Sequence, residues 1–130
     1  MVVQITSLYA AALAGLMIAL MIHVILHRAR SHVALGHGTD ERLHEAIRRH
    51  GNMVETLPLA LILIALAEAG GMTPFWLYLA GGILLASRLI HPFGVDDAKP
   101  TSALRIAGAS GSWIAMLIPI VFILQATLGL

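Results

Sequence analysis

From Ile5 to Leu26 the chain runs for a full membrane thickness without one Asp, Glu, Lys or Arg. A bilayer core about 30 Å thick takes roughly 20 apolar residues of helix. In lipid every backbone amide must find its partner inside the protein, which leaves helices or a closed barrel as spanning structures. Three more such stretches follow. The second starts near Asp40 as a polar amphipathic helix, turns apolar at Met53 and stops at AEAGG around Glu68. The third opens at Thr73-Pro74, an N-cap and first-turn pair, and stays apolar to Ser87. The fourth follows Pro100-Thr101-Ser102 and is apolar from Ile106 onward. The spacing predicts spans over 5–27, 40–68, 74–91 and 101–128 in one domain covering 1–130. The expected fold is an all-α membrane protein, a four-transmembrane-helix bundle. The first span lacks the basic n-region and small-residue cleavage site of a signal peptide, so it reads as retained.

Charge supports the same class and adds a direction. Only 12% of the residues are charged, against roughly 25% in soluble domains. A net charge of +1 without a basic run gives no reason to expect nucleic acid. All eight basic residues, Arg28, Arg30, Arg42, Arg48, Arg49, Arg88, Lys99 and Arg105, fall where spans one and two, or three and four, meet. Basic residues at span ends prefer the cytoplasm, so both polar connections are expected inside and both termini outside. Cysteine is absent, which excludes disulfides, thiolate metal sites and a protein thiol nucleophile. Any sulfur chemistry must use a thiol carried by a ligand.

Glu41, Glu45, Arg48, Asn52, Glu55 and Leu59 are separated by steps of 4, 3, 4, 3 and 4, so they share one face of the second helix. Glu45 with Arg48, Arg48 with Asn52, and Asn52 with Glu55 are within pairing distance along a helix. Glu55 already sits among Val54, Leu57 and Leu59, where a carboxylate either protonates or finds a cation. Arginine offers a fork for a carboxylate, glutamate accepts from an ammonium, and asparagine both donates to and accepts from an amide. Those are the groups of a small peptide with a free amine and free carboxylates. Other readings of the stripe are a proton-coupled four-span exporter and a scaffold that only locks an assembly. Among the seven histidines, His44 and His50 are six apart and His23 and His27 have no third partner, so no metal site is expected. Ala11 and Gly15, and the AGASGS run at 107–112, are expected at close helix contacts. Pro58 and Pro119 mark expected kinks.

RRHGNMVETLP at 48–58, preceded by VALGHGTDERL and followed by LALILIALAE, resembles the signature of the MAPEG family, the membrane-associated proteins in eicosanoid and glutathione metabolism. It is similar to the short bacterial branch, and the resemblance extends over essentially the whole chain. It implies a homotrimer, here in a bacterial inner membrane, that binds glutathione as cosubstrate in a cytoplasm-facing cleft between subunits. It implies a membrane-bound glutathione transferase or peroxidase-like activity on a hydrophobic small-molecule or lipid electrophile arriving from the membrane. By the same resemblance Arg48, Asn52 and Glu55 match tripeptide-binding residues, Arg28 matches a further site arginine, and Arg105 matches the catalytic arginine near the sulfur. Where eicosanoid-type members carry tyrosines this chain has Thr56 and His91, and its own Tyr9 and Tyr78 lie toward the opposite membrane face. His91 is thus a candidate binding residue that donates a hydrogen bond or shuttles a proton, or a loop residue before Pro92. The orientation is testable directly: a reporter fused after Leu130 is expected to be active only outside the cytoplasm, and cytoplasmic activity would invert the topology.

Overall fold

Asp40 ends the polar connection after the first span. Its backbone is extended and its carboxylate accepts from the Leu43 amide at 3.1 Å, satisfying one of the orphan donors at a helix start. The computed structural model describes residues 3–96 and 101–129, and the regular structure among them is all helical. The elements are α1 (Gln4–Ser31), α2 (Glu41–Ala69), α3 (Pro74–Ile90), a 3-10 turn (His91–Gly94) and α4 (Ala103–Leu128). All four helices are long and apolar enough to cross a membrane, the third taken with its 3-10 turn. α1 outlasts the expected boundary at 27 because Arg28 and Arg30 occupy its last turn, where cations favour the carbonyl end of a helix. Thr73 begins α3 with extended backbone but makes no side-chain cap, so the start rests on Pro74. Lys99 and Pro100 lie outside the described residues. Ser102 caps α4, its hydroxyl accepting from the Arg105 amide at 3.2 Å.

Hydrogen bonds at both ends show how the helices alternate. The Tyr9 hydroxyl donates to the Tyr78 carbonyl at 3.1 Å, joining the starts of α1 and α3. At the opposite end the Arg49 guanidinium of α2 donates to the Val95 carbonyl, just past the 3-10 turn, at 2.8 Å. The basic residues therefore collect at one end of the bundle. The other end is held by a carboxylate. α1 has no cap of its own, since Val3 offers no side-chain acceptor. Glu68, from the last turn of α2, accepts the Ile5 and Thr6 amides at 2.8 Å each and the Thr6 hydroxyl at 2.6 Å. An anion at a helix N-terminus also meets the positive end of the helix dipole.

Between the ends the core is narrow. Leu57, Ala60, Ile64 and Ala67 of α2 pack with Leu13 of α1, Leu77, Ala80 and Leu84 of α3, and Ala115 of α4. Lipid tails are as apolar as leucine, so association depends on close packing rather than on escape from water. Gly81 shows this: a Cβ there would collide with the Tyr9 ring. Gly108 and Gly111 do the same between α4 and α3, where added carbons would meet His91 and Ser87. The Ala11 and Gly15 pair is not part of this packing. Ala11, Ala12, Gly15 and Ala19 form an exposed face of α1 with nothing within 4 Å of the place a Gly15 Cβ would take. Pro58 and Pro119 sit inside helices that continue past them.

Glu68→Ala is expected to lower the unfolding free energy by about 2 kcal/mol, followed by helical circular dichroism in detergent, with Glu68→Gln losing less. An unchanged midpoint would mean that α1 is anchored without this carboxylate.

Candidate functional site

The core and polar stripes of α2 are two faces of one helix. Met53, Leu57, Ala60, Ile64 and Ala67 turn inward, and the line through Arg48, Asn52, Glu55 and Leu59 runs about a third of a turn away. The polar line must then lie on an exposed flank. Arg48 Nη1 and Glu55 Oε1 are 3.5 Å apart, with side chains 43% and 60% exposed. The pair arches over Gly51, whose missing Cβ would stand 3.7 Å from the guanidinium and 3.8 Å from the carboxylate. Asn52 donates its amide N–H to the Arg48 carbonyl at 2.8 Å, and Thr56 back-bonds to the Asn52 carbonyl at 2.9 Å. The pairing differs from the expected one. Glu45 binds Arg49, four residues on, at 3.0 Å, and Arg48 reaches two turns forward to Glu55 instead. The outcome is an opposite-charge pair displayed side by side on the exposed flank of α2.

The remaining predicted residues are distributed differently. Arg28 folds over the connection between α1 and α2, its Nη1 donating to the carbonyls of Val33, Ala34 and Gly36 at 3.3, 3.1 and 2.9 Å. His91 is only 5% exposed. It packs against Gly108, within electrostatic range of Arg88 and Arg105. Arg105 opens onto a groove of about 330 Å³ along the outer face of α4, shared with Thr101, Ile106, Ala109, Ser110 and Trp113. No α2 residue lines it. Within one chain, then, Arg48, Asn52 and Glu55 form one group and Arg105 a second. A cation at the mouth of an apolar groove is suited to holding an anion such as a thiolate.

What joins the two groups was not foreseen. Arg49, next to the stripe but pointing inward, holds both Glu45 and the Val95 carbonyl. One residue earlier, Gly94 lies against the backbone of Arg105, with Arg105 Cα 2.8 Å from where its Cβ would be. The Gly94 carbonyl accepts from the Ser102 hydroxyl at 2.6 Å. A continuous path of contacts thus runs from α2 through the segment after α3 to the first turn of α4, and it sets where Arg105 stands. Arg88 was expected at the basic surface with the other cations. It is instead 3% exposed and donates to the Gly108 carbonyl at 2.7 Å, while its Nε has no partner among the described residues. The signal available was its setting: ILLASRLI has apolar residues on both sides of it.

Four of the seven histidines make ring contacts with one another. His23 and His27 meet edge to face at 4.6 Å, and His37 stacks on His44 at 4.3 Å. No group of three or more metal-ligating side chains occurs among the described residues. A larger apolar depression of about 420 Å³ lies between Met72, Trp76, Leu117 and Phe122. It is at the far end from the cations and contains none of the predicted site residues.

Comparison with known proteins matches residues 6–125 to the model of the MAPEG family. The inner membrane protein YecN of Escherichia coli strain K12 is 34% identical over 115 residues, spanning 88% of this chain and 86% of its own length. YecN from E. coli O6:H1 strain CFT073 matches to the same degree. No solved structure matches this chain.

The path through Gly94 can be checked by adding one carbon. Gly94→Ala is expected to destabilise the fold by about 1 to 3 kcal/mol, because the new Cβ meets backbone that has no room to give. Gly82→Ala, where only the Tyr9 hydroxyl lies nearby at 3.7 Å, is the control. Equal unfolding midpoints for the two variants would contradict the close approach.

Proposed function

The chain belongs to the MAPEG family, and from that premise we propose that it is a glutathione transferase or peroxidase-like protein of a bacterial inner membrane. In this reading it is a homotrimer. Its basic end faces the cytoplasm, and each glutathione site forms between the α2 stripe of one copy and the Arg105 groove of the next. The exposed Arg48 and Glu55 pair is the observation that carries the proposal. Opposite charges held side by side, with an amide between them, complement a zwitterionic tripeptide. Binding is then an exchange of partners: Arg48 leaves Glu55 for a ligand carboxylate, Glu55 takes the ammonium, and Asn52 meets the peptide backbone. Arg28 shapes the connection beside the stripe, and His91 packs against Gly108, about one turn along α4 from Arg105. That the two groups lie in separate places on one chain supports a composite site. The bare small-residue face of α1 supports a packing surface for another copy. The inner-membrane assignment is supported by the name of the E. coli relative.

The chemistry follows from the placement of charge. An alkyl thiol is mostly protonated at neutral pH, and a guanidinium beside the sulfur favours the thiolate, which is the nucleophile. Arg105 does this at the mouth of an apolar groove, where a preorganised cation acts more strongly than in water. The electrophile enters the groove from lipid while glutathione arrives from the aqueous side. A second reading has one observation in its favour: Arg48 and Glu55 already satisfy each other, as they would in a non-catalytic assembly or a transporter.

Calorimetric titration of the purified protein with glutathione separates these readings. Saturable binding is expected, weakened about ten- to a hundredfold by Arg48→Ala or Glu55→Gln. Arg105→Ala is expected to lower kcat more than glutathione affinity, because it acts on the reacting charge. Failure of the folded oligomer to bind glutathione would leave the scaffold or transporter reading.

A further inference from the structure

Ser110 and Trp113 depart from two tendencies of the membrane-spanning helices. The hydroxyls of Ser7, Ser31, Thr56, Ser87 and Ser112 each bond the carbonyl four residues back, at 2.6 to 3.0 Å. This is how a helix hides a hydroxyl from lipid. Ser110, in the middle of the same helix as Ser112, has no hydrogen-bond partner among the described residues. Tryptophan at a membrane protein's surface belongs at the interface, and Trp76 obeys, two residues into α3. Trp113 does not. It is 63% exposed and lies about 15 Å along α4 from Ala103, well toward the middle of a helix about 39 Å long. Its indole N–H likewise has no partner among the described residues. A polar group left unsatisfied in hydrocarbon is costly, and these two are one helical turn apart in the same groove as Arg105.

We propose that Ser110 and Trp113 are the specificity-determining residues of the Arg105 groove, and that they select a planar, lipid-soluble conjugated carbonyl electrophile of the quinone type. The inference rests on the transferase reading for its chemistry but not for its binding. The groove joins a cation, one flat π surface and three neutral donors, Thr101, Ser110 and Trp113. A saturated alkyl electrophile would leave Ser110 and Trp113 unmet, whereas a quinone supplies acceptor oxygens and a ring to lie on the indole. Ala109 beside Ser110 leaves room for that ring. With glutathione present the step balances without a further reactant. The thiolate sulfur forms a bond to a ring carbon conjugated with the carbonyl, and the C=C pair moves onto the carbonyl oxygen, which accepts from Ser110 or Trp113. The thiol proton and the displaced ring hydrogen end on the two oxygens. The product is a hydroquinone thioether: the quinone is reduced and the ring carbon carries the sulfur.

The test uses the full protein in lipid nanodiscs and 2-decyl-1,4-benzoquinone. In Trp76→Phe, which leaves Trp113 as the sole tryptophan, the probe is expected to quench fluorescence saturably. In Trp113→Phe the remaining Trp76 is expected to show only linear quenching from probe dissolved in the bilayer. Ser110→Ala in the Trp76→Phe background is expected to raise the half-saturation concentration about three- to tenfold, the loss of one neutral hydrogen bond. Glutathione is absent from this arm. A second arm adds glutathione and follows by mass the rate of thioether formation above that in protein-free nanodiscs, since glutathione also adds to quinones unaided. Saturable quenching without thioether above that background supports the groove and counts against the transferase reading. Thioether formation with identical linear quenching at both tryptophans overturns the groove assignment. So does a Ser110→Ala variant that changes the oligomer's size and leaves half-saturation where it was, since the groove would then be filled by a neighbouring copy.

Discussion

The Arg49 guanidinium, held between Glu45 on its own helix and the Val95 carbonyl beyond α3, is the contact on which the basic end depends. Cations near a membrane usually reach outward to water and headgroups. This one turns inward, and it can do so because it meets an anion and a backbone acceptor at the same time. Its inward course fixes the segment after α3 against α2. Gly94, in that segment, fixes the backbone of Arg105. The position of Arg105 is therefore set by a second cation that points into the bundle. Arg88 repeats the device deeper in the bundle, drawing the Gly108 carbonyl of α4 to α3. Buried charge here is a means of holding a polar loop in register at the edge of a solvent that offers no hydrogen bonds.

The two ends of the bundle reach this condition by opposite charges. At the chain's start, one carboxylate from α2 supplies the cap that α1 lacks. At the other end, guanidinium groups gather carbonyls: three for Arg28, one each for Arg49 and Arg88. Anions meet helix N-termini and cations meet carbonyls, as the helix dipole favours. Between them the helices touch through Ala, Gly and Leu with little polarity. Polar ties are thus concentrated at the two ends. The middle of α4 is left to present side chains outward.

How far the residues alone disclose this depends on whether a side chain's fate is decided locally. The four spans were legible because hydropathy over some twenty residues needs no tertiary information. The common face of Arg48, Asn52 and Glu55 was legible because helical spacing determines it. Which partner each took was not. Glu45 had Arg48 and Arg49 equally within reach, and only the Val95 carbonyl, brought by another helix, decides for Arg49. Arg88 and Arg28 look like surface cations in sequence because a guanidinium on a long stem goes either to water or to a carbonyl, and the carbonyl belongs to a distant residue or a loop. Glu68 read only as the end of a helix for the same reason: its acceptors serve amides more than sixty residues away. His91 stood where the resemblance set a tyrosine of eicosanoid-type members, yet the close approach of Gly108 buries it.

The small-residue run AGASGS divides by face. Gly108 and Gly111 turn toward α3 and admit no larger side chain, whereas Ala109 and Ser110 turn outward and line the groove beside Arg105. One short segment thus contains positions that hold the helices together and positions that line the groove, interleaved but geometrically independent. Variation at the outward pair can widen, narrow or repolarise the groove without disturbing helix packing. A lineage can therefore change what this face of α4 presents to its surroundings by point substitution while its architecture stays still.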